Sequence, residues 1–171
     1  PCEHVAAFVS DVQASFTQLH GTSVSGSHHY TCVVNDRHFE RLNSLLDDAR
    51  AKGATVIPCA DYDVARDGRQ MPLHIVTGCT PDMRVMQEEL FGPFVTVLTF
   101  KTDDEALAIA NGTEYGLGSG LWTMNLPRAH RMAREIDAGM VWINSYKRVN
   151  PGSPFGGTGL SGYGREMGFD A

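Results

Sequence analysis

Positive charge is in short supply in this chain. Fourteen lysines and arginines stand against 20 aspartates and glutamates, leaving a net charge of −6 at pH 7. That balance lacks the basic stripe that nucleic-acid binding needs, so no nucleic-acid partner is expected. Like charges form no long block, so no charged tail is expected. No apolar run approaches the length of a membrane-spanning helix, and no membrane partner is expected. Pro1 opens no signal-peptide pattern. Cysteine is limited to Cys2, Cys32, Cys59 and Cys79. Their separations match neither Cys-x-x-Cys nor a zinc ribbon. Reduced thiols and a cytoplasmic location are the expectation. The histidines show no His-x-x-x-His spacing with an acid partner, and the acids no calcium-loop spacing, so no metal site is expected.

What remains is ordinary globular material, with 42% hydrophobic residues in 171. That length predicts one domain, residues 1–171. Val5, Phe8, Val9, Val12, Phe16 and Leu19 recur at helical spacing and predict a helix over 3–19. Phe39, Leu42, Leu45, Leu46 and Ala49 predict a second, capped by Asn35 or Asp36 and stopped by Gly53. Thr55 to Ile57 and Leu73 to Val76 read as strands. A helix is expected from Thr80 to Glu89, with Pro81 in its first turn. Phe94 to Phe100 reads as a strand buried on both faces. A helix over 103–110, a strand over 119–123, a helix capped by Asn125 and a strand over 140–143 complete the pattern. This alternation predicts an α/β fold with a largely parallel sheet and flanking helices.

Glu88-Glu89-Leu90-Phe91-Gly92-Pro93 is the densest chemical signal. Two carboxylates at the mouth of an apolar strand are costly unless something pairs or uses them. One carboxylate can accept hydrogen bonds from a sugar diol, and a nearby ring can pack on a flat heterocycle. The plainer alternative is a helix end with a solvated glutamate pair and a core phenylalanine.

Four segments in order extend the signal. Gln87 to Pro93 is followed by Glu114-Tyr115-Gly116-Leu117, then Gly139-Met140-Val141-Trp142-Ile143-Asn144, then Ser153-Pro154-Phe155-Gly156-Gly157 through Gly162. The chain resembles the C-terminal part of the NAD(P)-dependent aldehyde dehydrogenase superfamily, most strongly from Met83 to Asp170 and more weakly over 35–57. The resemblance implies that Glu89 hydrogen-bonds the nicotinamide ribose and that Phe91 packs beside the nicotinamide of NAD or NADP. It implies that Phe155 lines the aldehyde pocket. It also implies an aldehyde substrate, oxidation to a carboxylic acid through attack by a cysteine thiolate, and a homo-oligomer. The family's nucleophilic cysteine lies in a Gly-Gln-x-Cys segment expected before Pro1, and its general base lies further upstream. These residues therefore read as a partial catalytic domain without its nucleotide-binding domain, and no catalytic residue is assigned to them. The rival reading is a non-catalytic, self-associating module.

Other features carry less. Gly157 to Gly162 formally matches Gly-x-Gly-x-x-Gly, but prolines precede it where a strand should, so a phosphate loop is not expected. Cys2 lacks the context of the family's nucleophile, and the other three cysteines read as small apolar residues. Asn144 reads as a tie to a loop backbone or a ligand contact. Lys147-Arg148 lies where the resemblance places a variable substrate pocket; it suits an acidic or polar aldehyde, or is solvated charge.

Overall fold

A computed structural model describes residues 2–62 and 68–169, and for Cys2 the backbone alone. The chain divides into two compact units, Pro1–Thr99 and Phe100–Ala171. Both mix helices with strands, so the α/β expectation holds.

In the first unit, a 3-10 turn at Cys2–His4 leads into helix α1, Val5–His20. Only Phe16 of α1 is fully buried; Phe8 and Leu19 of the expected apolar stripe are exposed. Helix α2, Asp36–Ala51, begins where Asn35 accepts a hydrogen bond from the His38 backbone N–H. All five residues of its expected inner face are buried. They form the main core with Met71, Val76, Met83, Val85 and Phe94.

Strands β1 (Thr55–Pro58), β2 (His74–Thr77) and β3 (Phe94–Val97) form one sheet in that order. β1 pairs antiparallel and β3 parallel with β2. Side chains alternate faces along a strand. Ile75 therefore enters the core containing Phe16 and Cys59, while Val76 enters the core of α2, each fully buried. The central strand thus has both faces covered. β3 is shorter than expected, and beyond buried Phe94 its residues are only half-buried.

The helix expected from Thr80 is likewise reduced to one turn, α3, Arg84–Gln87. Thr80, Pro81 and Asp82 form a turn instead, with the Thr80 hydroxyl on Asp82 at 2.5 Å. The Arg84 N–H then finds its cap on the Asp48 carboxylate of α2, at 2.9 Å. Tertiary capping from a neighbouring helix sets this start, which local propensity alone does not reveal.

The second unit contains α4 (Asp103–Ala110), β4 (Tyr115–Gly116), β5 (Gly118–Leu121), α5 (Leu126–Glu135), β6 (Met140–Ile143) and β7 (Thr158–Gly159). β5 and β6 pair in parallel; β4 and β7 pair antiparallel. Thr102 caps α4 by accepting from Glu105 N–H, and Asn125 caps α5 by accepting from Arg128 N–H. The acids opening α4 are not merely solvated. Asp103 bonds Arg128 at 2.8 Å and Asp104 bonds Arg131 at 2.7 Å, tying α4 to α5. Gly139 precedes β6 where no side chain fits: a Cβ there would lie 1.8 Å from the Gly156 carbonyl oxygen.

Candidate functional site

The two adjacent carboxylates of the first unit have different fates. Glu88 is bound from both sides: Arg84 Nε lies 2.6 Å from its Oε1 and Arg41 Nη1 lies 3.5 Å from its Oε2. The Arg84 hydrogen bond, with the charges of Arg84 and Arg41, holds the Glu88 carboxyl below the usual carboxylate range despite some desolvation. Glu89 is exposed, and no hydrogen bond or ion pair to it occurs among the described residues. One acid of the pair therefore anchors the segment and the other is available.

Phe91 is held in a conformation a bulky residue rarely adopts. Its φ is 50°, in the left-handed region that costs on the order of 1–3 kcal/mol for a non-glycine residue. Helix α2 supports this turn with two side chains three residues apart, hence on one face. His38 Nε2 donates to the Phe91 carbonyl oxygen at 2.9 Å, and Arg41 donates to the Leu90 carbonyl oxygen. Arg41 Nε approaches His38 Nδ1 at 3.4 Å, so the tautomer with its proton on Nε2 satisfies both contacts. The Phe91 ring remains 79% exposed, so this side chain is presented rather than packed. It forms one wall of a cavity of about 550 Å³ shared with Tyr30, Val33, His38 and Met71. Gly92 completes the turn by close approach: a Cβ would lie 2.7 Å from Leu42 Cδ2.

A free carboxylate two residues from a presented aromatic ring fits a ribose diol beside a flat heterocycle. Within these residues Phe91 is exposed and belongs to neither core cluster.

In the second unit, Phe155 is half-buried and lines a cavity of about 440 Å³ with Leu117, Trp142, Tyr146, Lys147 and Val149. The glycines of β5 make room for two of these rings. A Cβ on Gly118 would lie 2.9 Å from the Trp142 ring, and one on Gly120 would lie 3.1 Å from Tyr146. Trp142 and Tyr146 meet edge to face with centroids 5.2 Å apart. The Trp142 indole N–H donates to the Arg148 carbonyl at 2.8 Å. Asn144 ties two strand ends: its Oδ1 accepts from Thr123 N–H at 2.9 Å and its Nδ2 donates to the Thr123 carbonyl at 3.0 Å. Asn144 thus serves as a backbone tie. His38 and Arg41 are the supporting residues that sequence reasoning missed; the register of α2 gives no hint of a partner some fifty positions on.

The glycine-rich segment also has a structural use. Thr158–Gly159 pairs with β4, and among the described residues no helix opens after it as a phosphate loop requires. Cys32, Cys59 and Cys79 are free thiols. Burial pushes Cys59 and Cys79 up, away from thiolate character. Cys32 is exposed in a loop. No cluster of metal-ligating side chains and no helix long and apolar enough to cross a membrane occurs among the described residues.

The chain belongs to the aldehyde dehydrogenase family, whose family model matches residues 3–171. It is 42% identical over 141 residues to 4-trimethylaminobutyraldehyde dehydrogenase of Rattus norvegicus, covering 80% of this chain and 28% of that protein. It is 56% identical over 140 residues to (Z)-2-((N-methylformamido)methylene)-5-hydroxybutyrolactone dehydrogenase of Acinetobacter baylyi, covering 82% and 28% respectively. Among solved structures it resembles PnpE from Pseudomonas sp. WBC-3, with 57% identity and a TM-score of 0.71 over 79% of this chain and 28% of that one. PnpE has also been solved in complex with nicotinamide adenine dinucleotide. The chain thus spans a little over a quarter of the length of the relatives it matches, 28% in each case.

Proposed function

We propose that these residues supply the nicotinamide-ribose clamp and part of the aldehyde pocket of an NAD(P)-dependent aldehyde dehydrogenase, which oxidises an aldehyde to a carboxylic acid. The observation that carries the reading is the division of labour between Glu88, ion-paired on both sides, and Glu89, exposed and without a hydrogen bond or ion pair among the described residues. Glu89 accepts hydrogen bonds from the two ribose hydroxyls. Phe91, fixed through its own carbonyl, presents a ring against the nicotinamide. When bound, the cofactor accepts the hydride that leaves the aldehyde carbon. Phe155 forms an apolar wall for the aldehyde. Preset positions for both groups lower the entropic cost of bringing reactants together.

Both units belong to one catalytic domain in this reading. Cytoplasmic location and homo-oligomer formation are part of the same proposal. Met124, Tyr163 and Phe169 are each more than nine-tenths exposed, and apolar surface of that kind supports association. The non-catalytic module is disfavoured by the family match and by a presented Phe91 that a purely structural segment has no reason to strain.

The test is aldehyde-dependent reduction of NAD or NADP by the complete enzyme. Phe155→Ala should raise KM for the aldehyde with little change in KM for the cofactor. A Phe155→Ala enzyme with unaltered aldehyde kinetics removes the pocket assignment.

A further inference from the structure

We propose that the cavity formed by Trp142, Tyr146 and Phe155 sorts aldehydes by the charge at their far end. It favours an aromatic or conjugated aldehyde ending in an anion and disfavours one ending in a quaternary ammonium. This rests on the aldehyde-pocket reading above and names the substrate class of that pocket.

Aromatic walls alone do not decide the matter. Rings such as Trp142 and Tyr146 are the usual surroundings of a quaternary ammonium ligand, through cation–π attraction. Here the chain supplies that cation itself. Lys147 Nζ lies 6.0 Å from the centroid of the Tyr146 ring, and Lys147 is the single charged residue lining the cavity. A ligand cation would compete with Lys147 for the same ring and meet its like charge across a partly apolar space. A ligand carboxylate would meet an opposite charge there and no acidic side chain.

The geometry also separates Lys147 from Arg148. Arg148 does not line the cavity; its backbone carbonyl accepts the Trp142 indole N–H. Trp142 thus has its donor occupied and offers its ring. Lys147 has φ 54°, the left-handed region that side-chain-bearing residues rarely adopt. A lining that includes the Trp142, Tyr146 and Phe155 rings and one cation, Lys147, suits a planar, unsaturated aldehyde that carries a carboxylate.

The experiment compares kcat/KM of the complete enzyme for 4-formylbenzoate and for the matching 4-formylphenyl-trimethylammonium ion. These probes share ring and aldehyde and differ in tail charge. The expected preference is for the carboxylate by about tenfold, the scale of one partly desolvated charge pair. Lys147→Met should bring the ratio towards one, Lys147→Glu should invert it, and Lys147→Arg should retain it. Thermal midpoints of the four proteins check that each is folded. A wild-type ratio near one, or a ratio that Lys147→Met leaves unchanged, overturns the inference while aldehyde oxidation itself stands. If no aldehyde is oxidised, the pocket reading fails and this inference falls with it.

Discussion

His38 Nε2 lies 2.9 Å from the Phe91 carbonyl oxygen, a bond joining α2 to a turn fifty-three positions further along the chain. Its effect is to fix a strained residue whose ring stays in solvent. Helix α2 therefore does two tasks: its apolar face builds the core, and its adjacent polar face shapes the candidate cofactor clamp.

Removing that bond should loosen the clamp without dismantling the core. His38→Ala is expected to raise the cofactor KM of the complete enzyme several-fold, matching about 1 kcal/mol for one lost hydrogen bond. His38→Gln, whose amide N–H can reach the same carbonyl, should recover most of the loss. Steady-state kinetics with cofactor varied at saturating aldehyde makes the measurement. Equal KM values in all three proteins would show that the turn holds without His38.

Gly92 tests the close approach between the turn and α2. A methyl group there would sit 2.7 Å from Leu42 Cδ2, inside a core where overpacking costs about 1–3 kcal/mol. Gly92→Ala should lower the denaturation midpoint accordingly, and Gly92→Ala combined with Leu42→Ala should lose less than the sum of the two. Chemical denaturation of the four proteins checks this coupling; strict additivity would contradict the contact.

His74 sets a pH dependence of stability. It is almost wholly buried on β2, with rings of Tyr62 and Phe94 on either side and Nδ1 at 2.8 Å from the Pro72 carbonyl oxygen. Burial pushes its pKa below the ordinary 6.5, and the Arg50 charge adds to this while the Pro72 bond opposes it. As pH falls through 6.5, the unfolded chain takes up a proton that the folded chain refuses. Stability is therefore full above that pH and declines below it, with a slope of at most about 1.4 kcal/mol per pH unit for one proton. Asp48 and Glu88, both held below their usual range, add losses in the same direction only at more acidic pH. His74→Phe should flatten the slope between pH about 6.5 and 5. An unchanged slope would mean that His74 protonates freely in the folded state.

Much of this architecture is legible in the residue pattern, for reasons that can be named. The five apolar positions of α2 recur at helical spacing and all of them are buried. Asn35 and Asn125 sit at helix starts and each accepts the expected backbone N–H, while the Thr102 cap of α4 emerges only in the structure. What escapes the pattern depends on distant partners. The Thr80–Glu89 helix shrinks because Asp48 caps Arg84 from another helix. The division after Thr99 has no glycine- or proline-rich linker to mark it. In the candidate clamp, Glu89 and Phe91 are suggested by sequence, but the pattern does not reveal that Glu88 is held by Arg84 and Arg41 while Glu89 is exposed.

That difference between neighbouring carboxylates is the central claim, and calorimetric titration of NAD into the complete enzyme tests it most directly. Glu89→Gln should weaken binding about tenfold, as expected for charge-assisted hydrogen bonds, with the thermal midpoint preserved. Glu88→Gln should cost stability by about 0.5 kcal/mol through its half-exposed ion pairs and weaken binding less. Unchanged NAD affinity in Glu89→Gln, or a larger loss in Glu88→Gln than in Glu89→Gln, would contradict the account.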